Sequence, residues 1–234
     1  MKCAIMKDKI MKQIAPIAHF RSPLTSKFGI PRQSGLVDEL RGSIVFEKPY
    51  AQPDALRGIE DFDYLWLIWG FSANSDDAGE SRSLTVRPPR LGGNRRMGVF
   101  ATRSPFRPNG LGLSCVRIEK VENGVIHVLG ADLMDDTPIY DVKPYVPYAD
   151  AHPEARGGFT DQREWKQLEV VIPDDLRPLF TPSELAALTK ILSLDPRPHY
   201  HTDSQRIYGL PFGGREIRFR VAEGVVSVVE VRKI

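Results

Sequence analysis

With 234 residues, 41% of them hydrophobic and 26% charged, the chain has the composition of a folded globular protein with room for one good core, or for a larger and a smaller one. A net charge of only +2 excludes adhesion to polyanions through total charge, so any anion site has to come from local clustering. Cys3 and Cys115 fit neither a disulfide framework nor a metal knuckle, and no secretory signal or bilayer-spanning run is visible: the longest apolar run is Tyr64 to Phe71, against the ~20 residues a span needs. A cytoplasmic protein with no membrane association is therefore expected.

Ile14 to Phe20 reads as a first strand, ended by Arg21-Ser22-Pro23 before a basic, proline-containing loop from Lys27 to Gly35. Ser43 to Phe46 reads as a second. Pro53 suits the first turn of a short helix that Gly58 stops. Tyr64 to Phe71 is apolar at successive positions, the pattern of a strand buried on both faces. Met97 to Ala101 reads as a short strand between stiff loops. Leu113 to Val121 and Val125 to Leu129 are strands joined by Asn123-Gly124, a tight-hairpin signal. Asp132, Asp135, Asp136 and Asp141 then crowd together among prolines and tyrosines, and Thr137 to Asp141 reads as a turn.

Gly157-Gly158 lies in a segment without hydrophobic periodicity, which divides the chain into residues 1–155 and a smaller unit, 156–234. In that unit Trp165 to Ile172 alternates like a strand. Thr181-Pro182-Ser183-Glu184 is a capping box opening a helix with Leu185, Leu188, Ile191 and Leu192 on its apolar face. Ile207 to Phe212, Ile217 to Val221 and Val225 to Val231 form an antiparallel meander turned at Gly213-Gly214 and Glu223-Gly224. Without helices alternating between strands, the pattern predicts a mainly β, α+β protein: an antiparallel barrel-like sheet followed by a small α+β domain.

The densest chemistry lies between Ser81 and Ile118, where eight arginines stand without a lysine or an acid. Arginine's planar fork matches phosphate and carboxylate oxygens two at a time and stacks on flat rings. Prolines and glycines in the same stretch make stiff loops that hold such side chains in place. The alternative use of these arginines is pairing with acids elsewhere in the fold. The histidines lack zinc spacing, no serine sits in a nucleophile elbow, and the aspartates suit ion pairs better than a metal. The residues favour positioning an anionic or nucleotide ligand over covalent catalysis.

Taken together, Arg21 to Pro23, Pro31 to Gly35 (PRQSG), Val86 to Ser114 (VRPPRLGGNRRMGVFATRSPFRPNGLGLS), Asp132 to Tyr145 (DLMDDTPIYDVKPY) and Asp195 to Tyr200 (DPRPHY) resemble the TrmO family, also called TsaA or YaeB. The resemblance implies a single-sheeted barrel and S-adenosylmethionine-dependent methylation of the exocyclic N6 of threonylcarbamoyladenosine beside the tRNA anticodon. It also implies a homodimer. Carried over by motif, the cofactor would lie against Gln33, Ser34, Gly35 and Leu36, against Ala73 and Asn74, and against Arg103 and Ser104. Leu113, Ser114 and the segment Thr137, Pro138, Ile139, Tyr140 and Asp141 would complete the pocket.

Asp141 would accept or orient the proton of the target nitrogen, or else pair with Lys143 or an arginine and shape the chain. Arg90, Arg95, Arg96, Arg107 and Arg197 would contact the anticodon arm, aided by Lys27 and Arg32. No metal is implied. Asp136 departs from the glycine usual before Thr-Pro, a replacement suited to a positive φ. Two other classes stay open on the residues alone: a non-catalytic RNA-binding module and a metal-dependent phosphate-ester hydrolase.

Overall fold

The computed structural model describes residues 13–72, 84–88, 95–162, 166–198, 201 and 203–234. Its first eight strands in chain order are β1 (Ala18–Arg21), β2 (Arg41–Phe46), β3 (Tyr64–Gly70), β4 (Thr85–Val86), β5 (Met97–Gly98), β6 (Leu111–Glu122), β7 (Val125–Leu129) and β8 (Thr137–Pro144). Six of them close into an antiparallel barrel in the order β1-β2-β7-β6-β3-β8, while β4 and β5 form a separate two-stranded ribbon. The β6–β7 hairpin turns where the sequence predicts, with Asn123 at φ 52° and Gly124 at φ 75°, the left-handed pair that matches the twist of the flanking strands.

Closure explains two departures from expectation. A barrel has one interior, so β3 is buried on one face only: Leu65, Leu67 and Trp69 point inward, while Trp66 and Ile68 are half-buried and Tyr64 is exposed. The segment Thr137 to Asp141 is not a turn but the start of β8, which pairs with β1 on one side and β3 on the other. Pro138 and Asp141 on its outward face and Pro144 at its end conceal the strand. A third departure is local: Met97–Gly98 is the whole of β5, and Val99–Ala101 is a turn of 3-10 helix.

The C-terminal part contains β9 (Glu169–Val171), the helix Pro182–Ser193, β10 (Tyr208–Phe212), β11 (Arg215–Ala222) and β12 (Val225–Lys233). The capping box forms in full, with the Glu184 amide donating to the Thr181 hydroxyl at 3.2 Å and the Thr181 amide to the Glu184 carboxylate at 2.8 Å. The sheet order is β10-β11-β12-β9, and β9 lies parallel to β12, so the meander becomes a mixed sheet. The expected strand from Trp165 to Ile172 shrinks to Glu169–Val171, and Trp165 lies outside the described residues.

Two cores result. One fills the barrel; the other packs Leu188, Ile191 and Leu192 of the helix on Leu210, Phe219 and Val226 of the sheet. The second core also takes in Leu24, Val37 and Leu40 from the connection between β1 and β2, with Phe28 and Leu36 packed against it. Phe28 stacks on Tyr208 and Phe219 at 6.4 and 6.2 Å. The loop that the sequence assigns to the first unit is thus gripped by the second. Among the described residues, no helix is long and apolar enough to cross a membrane.

Candidate cofactor and tRNA site

The site forms where β6 and β7 part. Their pairing ends at Arg117 and Leu129, after which Gly130 (φ 78°) turns β7 away and leaves the Cys115 amide without a strand partner. The β1–β2 loop fills that gap: the Ser34 hydroxyl accepts from the Cys115 amide at 3.2 Å, and the Gly35 amide donates to the Gly130 carbonyl at 2.8 Å. Gly35 holds φ 76°, and a Cβ built there meets nothing within 4 Å, so the backbone faces open space.

Below this loop runs a polar chain through the barrel mouth. The Trp69 indole N–H donates to the Ser114 hydroxyl at 2.9 Å, and Ser114 donates in turn to the Asp132 carboxylate. Burial pushes the Asp132 carboxyl above the usual aspartate value; the Ser114 hydroxyl, backbone amides including that of Ser34, and the charge of Arg103 pull the other way. Arg103 donates to the Gln33 side chain and so ties the arginine-rich loop to the mouth. Asp132 is the central residue that sequence reasoning missed as a site member, because it read this acid as one of several ion-pair partners.

Other expected cofactor residues fall on a neighbouring surface. The order β6-β3-β8 and its register put Leu113, Ile68 and Asp141 in one cross-strand row on the outer face. A bulge between Ile68 and Trp69 leaves Tyr140 as the extra residue of β8, its ring against Gly70, where a Cβ would come within 2.9 Å of it. Asp141 is 2.9 Å from the Lys143 ammonium and accepts the Val142 amide at 3.0 Å. Thr137 and Ile139 point into the barrel, and the Thr137 hydroxyl is spent on the Met134 carbonyl. Pro138 lies beside Gly70. Asp136 takes φ 60°, as the departure from glycine predicts, with its carboxylate 3.3 Å from Arg21 and 3.2 Å from the His19 ring.

The expected RNA-contacting arginines divide. Arg95 and Arg96 are exposed, and no carboxylate among the described residues pairs with them. Arg107 is turned into its own loop, donating to the carbonyls of Thr102 at 2.6 Å and Val99 at 3.3 Å. Arg197 grips Asp195 with two bonds of 2.8 and 3.0 Å and is largely buried near Tyr208. Ser104 also shapes its loop, accepting the Phe106 amide at 3.2 Å. Arg90, Ala73 and Asn74 lie outside the described residues, as do His199 and Tyr200. Among the described residues, no three His, Cys, Asp or Glu side chains are grouped to hold a metal ion.

A closed antiparallel barrel with a polar, arginine-flanked mouth, whose β1–β2 loop is gripped by the C-terminal sheet and helix, places the chain among barrel proteins outside the doubly wound nucleotide folds. Residues 19–151 match the tRNA-methyltransferase O N-terminal domain and residues 165–234 the TrmO C-terminal domain, so the chain belongs to the TrmO family. It is 38% identical over 228 residues to the tRNA (adenine(37)-N6)-methyltransferase of Escherichia coli, covering 92% of this chain and 96% of that one. It is 40% identical over 204 residues to RcsF of Pseudomonas aeruginosa, which carries the name of an S-adenosylmethionine-dependent methyltransferase; 84% of this chain and 87% of that one are covered. The crystal structure of TrmO from P. aeruginosa superimposes with a TM-score of 0.78 at 32% identity, covering 97% of this chain and 100% of that one.

Proposed function

We propose that the barrel mouth is where this chain, an S-adenosylmethionine-dependent tRNA (adenine(37)-N6)-methyltransferase of the TrmO family, brings cofactor and target nitrogen together. The observation that carries the placement is the locking of the Gln33–Leu36 loop onto the mouth through Arg103, Cys115 and Gly130. The donor set suits a ligand bearing both charges and an apolar ring: at the mouth Arg103 offers a cation, Asp132 a carboxyl and Gly35 an open backbone, and on the neighbouring outer face Leu113 offers apolar surface. Ala73 and Asn74 complete this reading from the sequence side. When bound, S-adenosylmethionine supplies an electrophilic methyl group on a sulfonium centre.

The protein's own work is positioning and proton management. The target is the N6 of threonylcarbamoyladenosine, a urea-like nitrogen whose lone pair is delocalised, so removal of its proton during transfer lowers the barrier. Asp141 is the carboxylate for that step, with Lys143 holding it in place at 2.9 Å. Arg95 and Arg96, with Arg90, meet the backbone of the anticodon arm, and Arg107 and Arg197 hold the elements beside it. The protein acts as a homodimer built of units 1–155 and 156–234.

Two measurements test this reading. Calorimetry after chelator treatment should give heat with S-adenosylmethionine alone; metal-dependent binding would favour a phosphate-ester hydrolase. Asp141→Asn should bind cofactor normally and methylate threonylcarbamoylated tRNA roughly 100-fold more slowly. Unchanged turnover in that variant would remove Asp141 from the chemistry.

A further inference from the structure

Between β5 and β6 the arginine-rich loop carries two phenylalanine rings that the fold does not use. Phe100 is 75% exposed and Phe106 63%. Single exposed apolar residues are ordinary on a protein surface. These two differ because the loop that carries them is held from several sides. Val99, the neighbour of Phe100, is 1% exposed and donates its amide to the Leu84 carbonyl at 2.9 Å. The Thr102 amide returns to the Val99 carbonyl at 3.1 Å, and the Arg107 guanidinium ties the Val99 and Thr102 carbonyls together. The Phe106 amide is held by the Ser104 hydroxyl at 3.2 Å. Two rings are thus presented to solvent on a backbone already fixed, so ordering them on a partner costs little conformational entropy.

Charge selects the partner. Arg95, Arg96 and Arg103 are exposed on the same loop system, and the sequence from Ser81 to Ile118 contains no acid. The rim of a protein–protein interface is ordinarily polar and of mixed charge; a rim of cations with no acid suits a polyanion whose own flat groups can stack. Unpaired nucleotides have both properties, and proteins read single-stranded RNA loops by stacking bases on aromatic rings while cations follow the backbone.

We propose that Phe100 and Phe106 form a stacking platform for unpaired nucleotides of the tRNA anticodon loop, holding the loop open beside the barrel mouth. Arg107 acts here as a positioning residue: it spends its charge on the loop that carries the rings. The proposal rests on the tRNA-methyltransferase reading above.

The test measures binding of an anticodon stem-loop RNA carrying threonylcarbamoyladenosine, with a fully paired hairpin of the same length as control. Phe100→Ala and Phe106→Ala should each weaken stem-loop binding about 5- to 100-fold. Phe100→Tyr and Phe106→Tyr should restore it, since the π-face is kept. The salt slope should not change, because no phosphate contact is lost. Affinity for the paired hairpin and for S-adenosylmethionine should stay at the wild-type value in all four variants. Emission of a Phe106→Trp variant should be quenched by the stem-loop and not by the paired hairpin. Wild-type stem-loop affinity in both alanine variants would overturn the platform, as would equal loss on the paired hairpin. Lost cofactor binding would place the rings in the cofactor pocket. A lowered sedimentation coefficient would place them in a contact between protein copies. Failure of the wild-type protein to bind the stem-loop at all would overturn the tRNA reading itself, so the two failures are distinguishable.

Discussion

Asp132 carries the sharpest trade-off at the level of single residues. Its carboxyl is raised above the ordinary aspartate value chiefly by burial. The folded state therefore holds this proton more tightly than the unfolded chain. The stability gained by protonation is complete below the ordinary value and is lost as pH rises through the raised one. Ionising the group is a net cost to the fold, offset only in part by Ser114, backbone amides and Arg103. Asp132→Asn should leave thermal stability above the raised value equal to wild type or higher, and flatten its dependence on pH above the ordinary aspartate range. Calorimetric affinity for S-adenosylmethionine should fall, because the carboxylate that faces the loop is gone. A large drop in melting temperature above the raised value would show that the carboxylate is there for the fold.

Strand register governs the element scale, and one glycine guards it. Gly112 of β6 lies opposite Trp69 of β3, and a Cβ added there would come within 2.3 Å of the indole ring. The ring cannot swing away without breaking its bond to Ser114 and so disturbing Asp132. Gly112→Ala should cost about 1–3 kcal/mol by overpacking. That corresponds to a melting temperature lower by several degrees for a domain of this size, checked by thermal denaturation followed through tryptophan fluorescence. Wild-type melting would mean that the barrel wall yields more easily than its packing suggests.

The same scale explains what the sequence made legible. Strands with period-two alternation, such as β7, β11 and β12, and turns with Asn-Gly or Glu-Gly stand out because local chemistry decides them: Glu223 and Gly224 take φ 50° and 82°, as Asn123 and Gly124 do. β8 does not stand out. Its Thr137 and Ile139 face the barrel, but Pro138, Asp141 and Pro144 interrupt the pattern, and the bulge at Tyr140 shifts its phase by one residue. Individual site residues came from motif resemblance; their spatial grouping came from where β7 leaves β6, a long-range event that no window of sequence encodes. Arginine count marks out the stretch that the proposed function uses, whereas which arginines remain exposed depended on the partners Thr102, Val99 and Asp195.

Across the whole molecule, the C-terminal domain's role follows from what its core encloses. Leu24, Val37 and Leu40 belong to the same chain segment as Gln33, Ser34 and Gly35, yet they are buried in the second core and not in the barrel. Phe28 stacks on two of that core's rings, and the Gly213 amide reaches back to the Pro23 carbonyl at 2.9 Å. Gly29 packs so closely that a Cβ would be 2.1 Å from Leu210. The loop is thus anchored at both flanks by one domain while its tip touches the other at Cys115, Gly130 and Arg103. Loosening either anchor should widen the ensemble of loop positions and raise the entropic cost of binding cofactor. Phe28→Ala should therefore raise the Kd for S-adenosylmethionine severalfold, although Phe28 lies in the anchor and not at the mouth. Leu192→Ala, on the helix side of the same core, should cost more stability, about 2–5 kcal/mol for a fully buried leucine, while sparing cofactor affinity in the folded fraction. Calorimetry and thermal melting on the two variants separate the effects. If affinity tracks stability equally in both, the second domain supports the barrel only in general; if affinity falls in Phe28→Ala alone, it holds the cofactor loop.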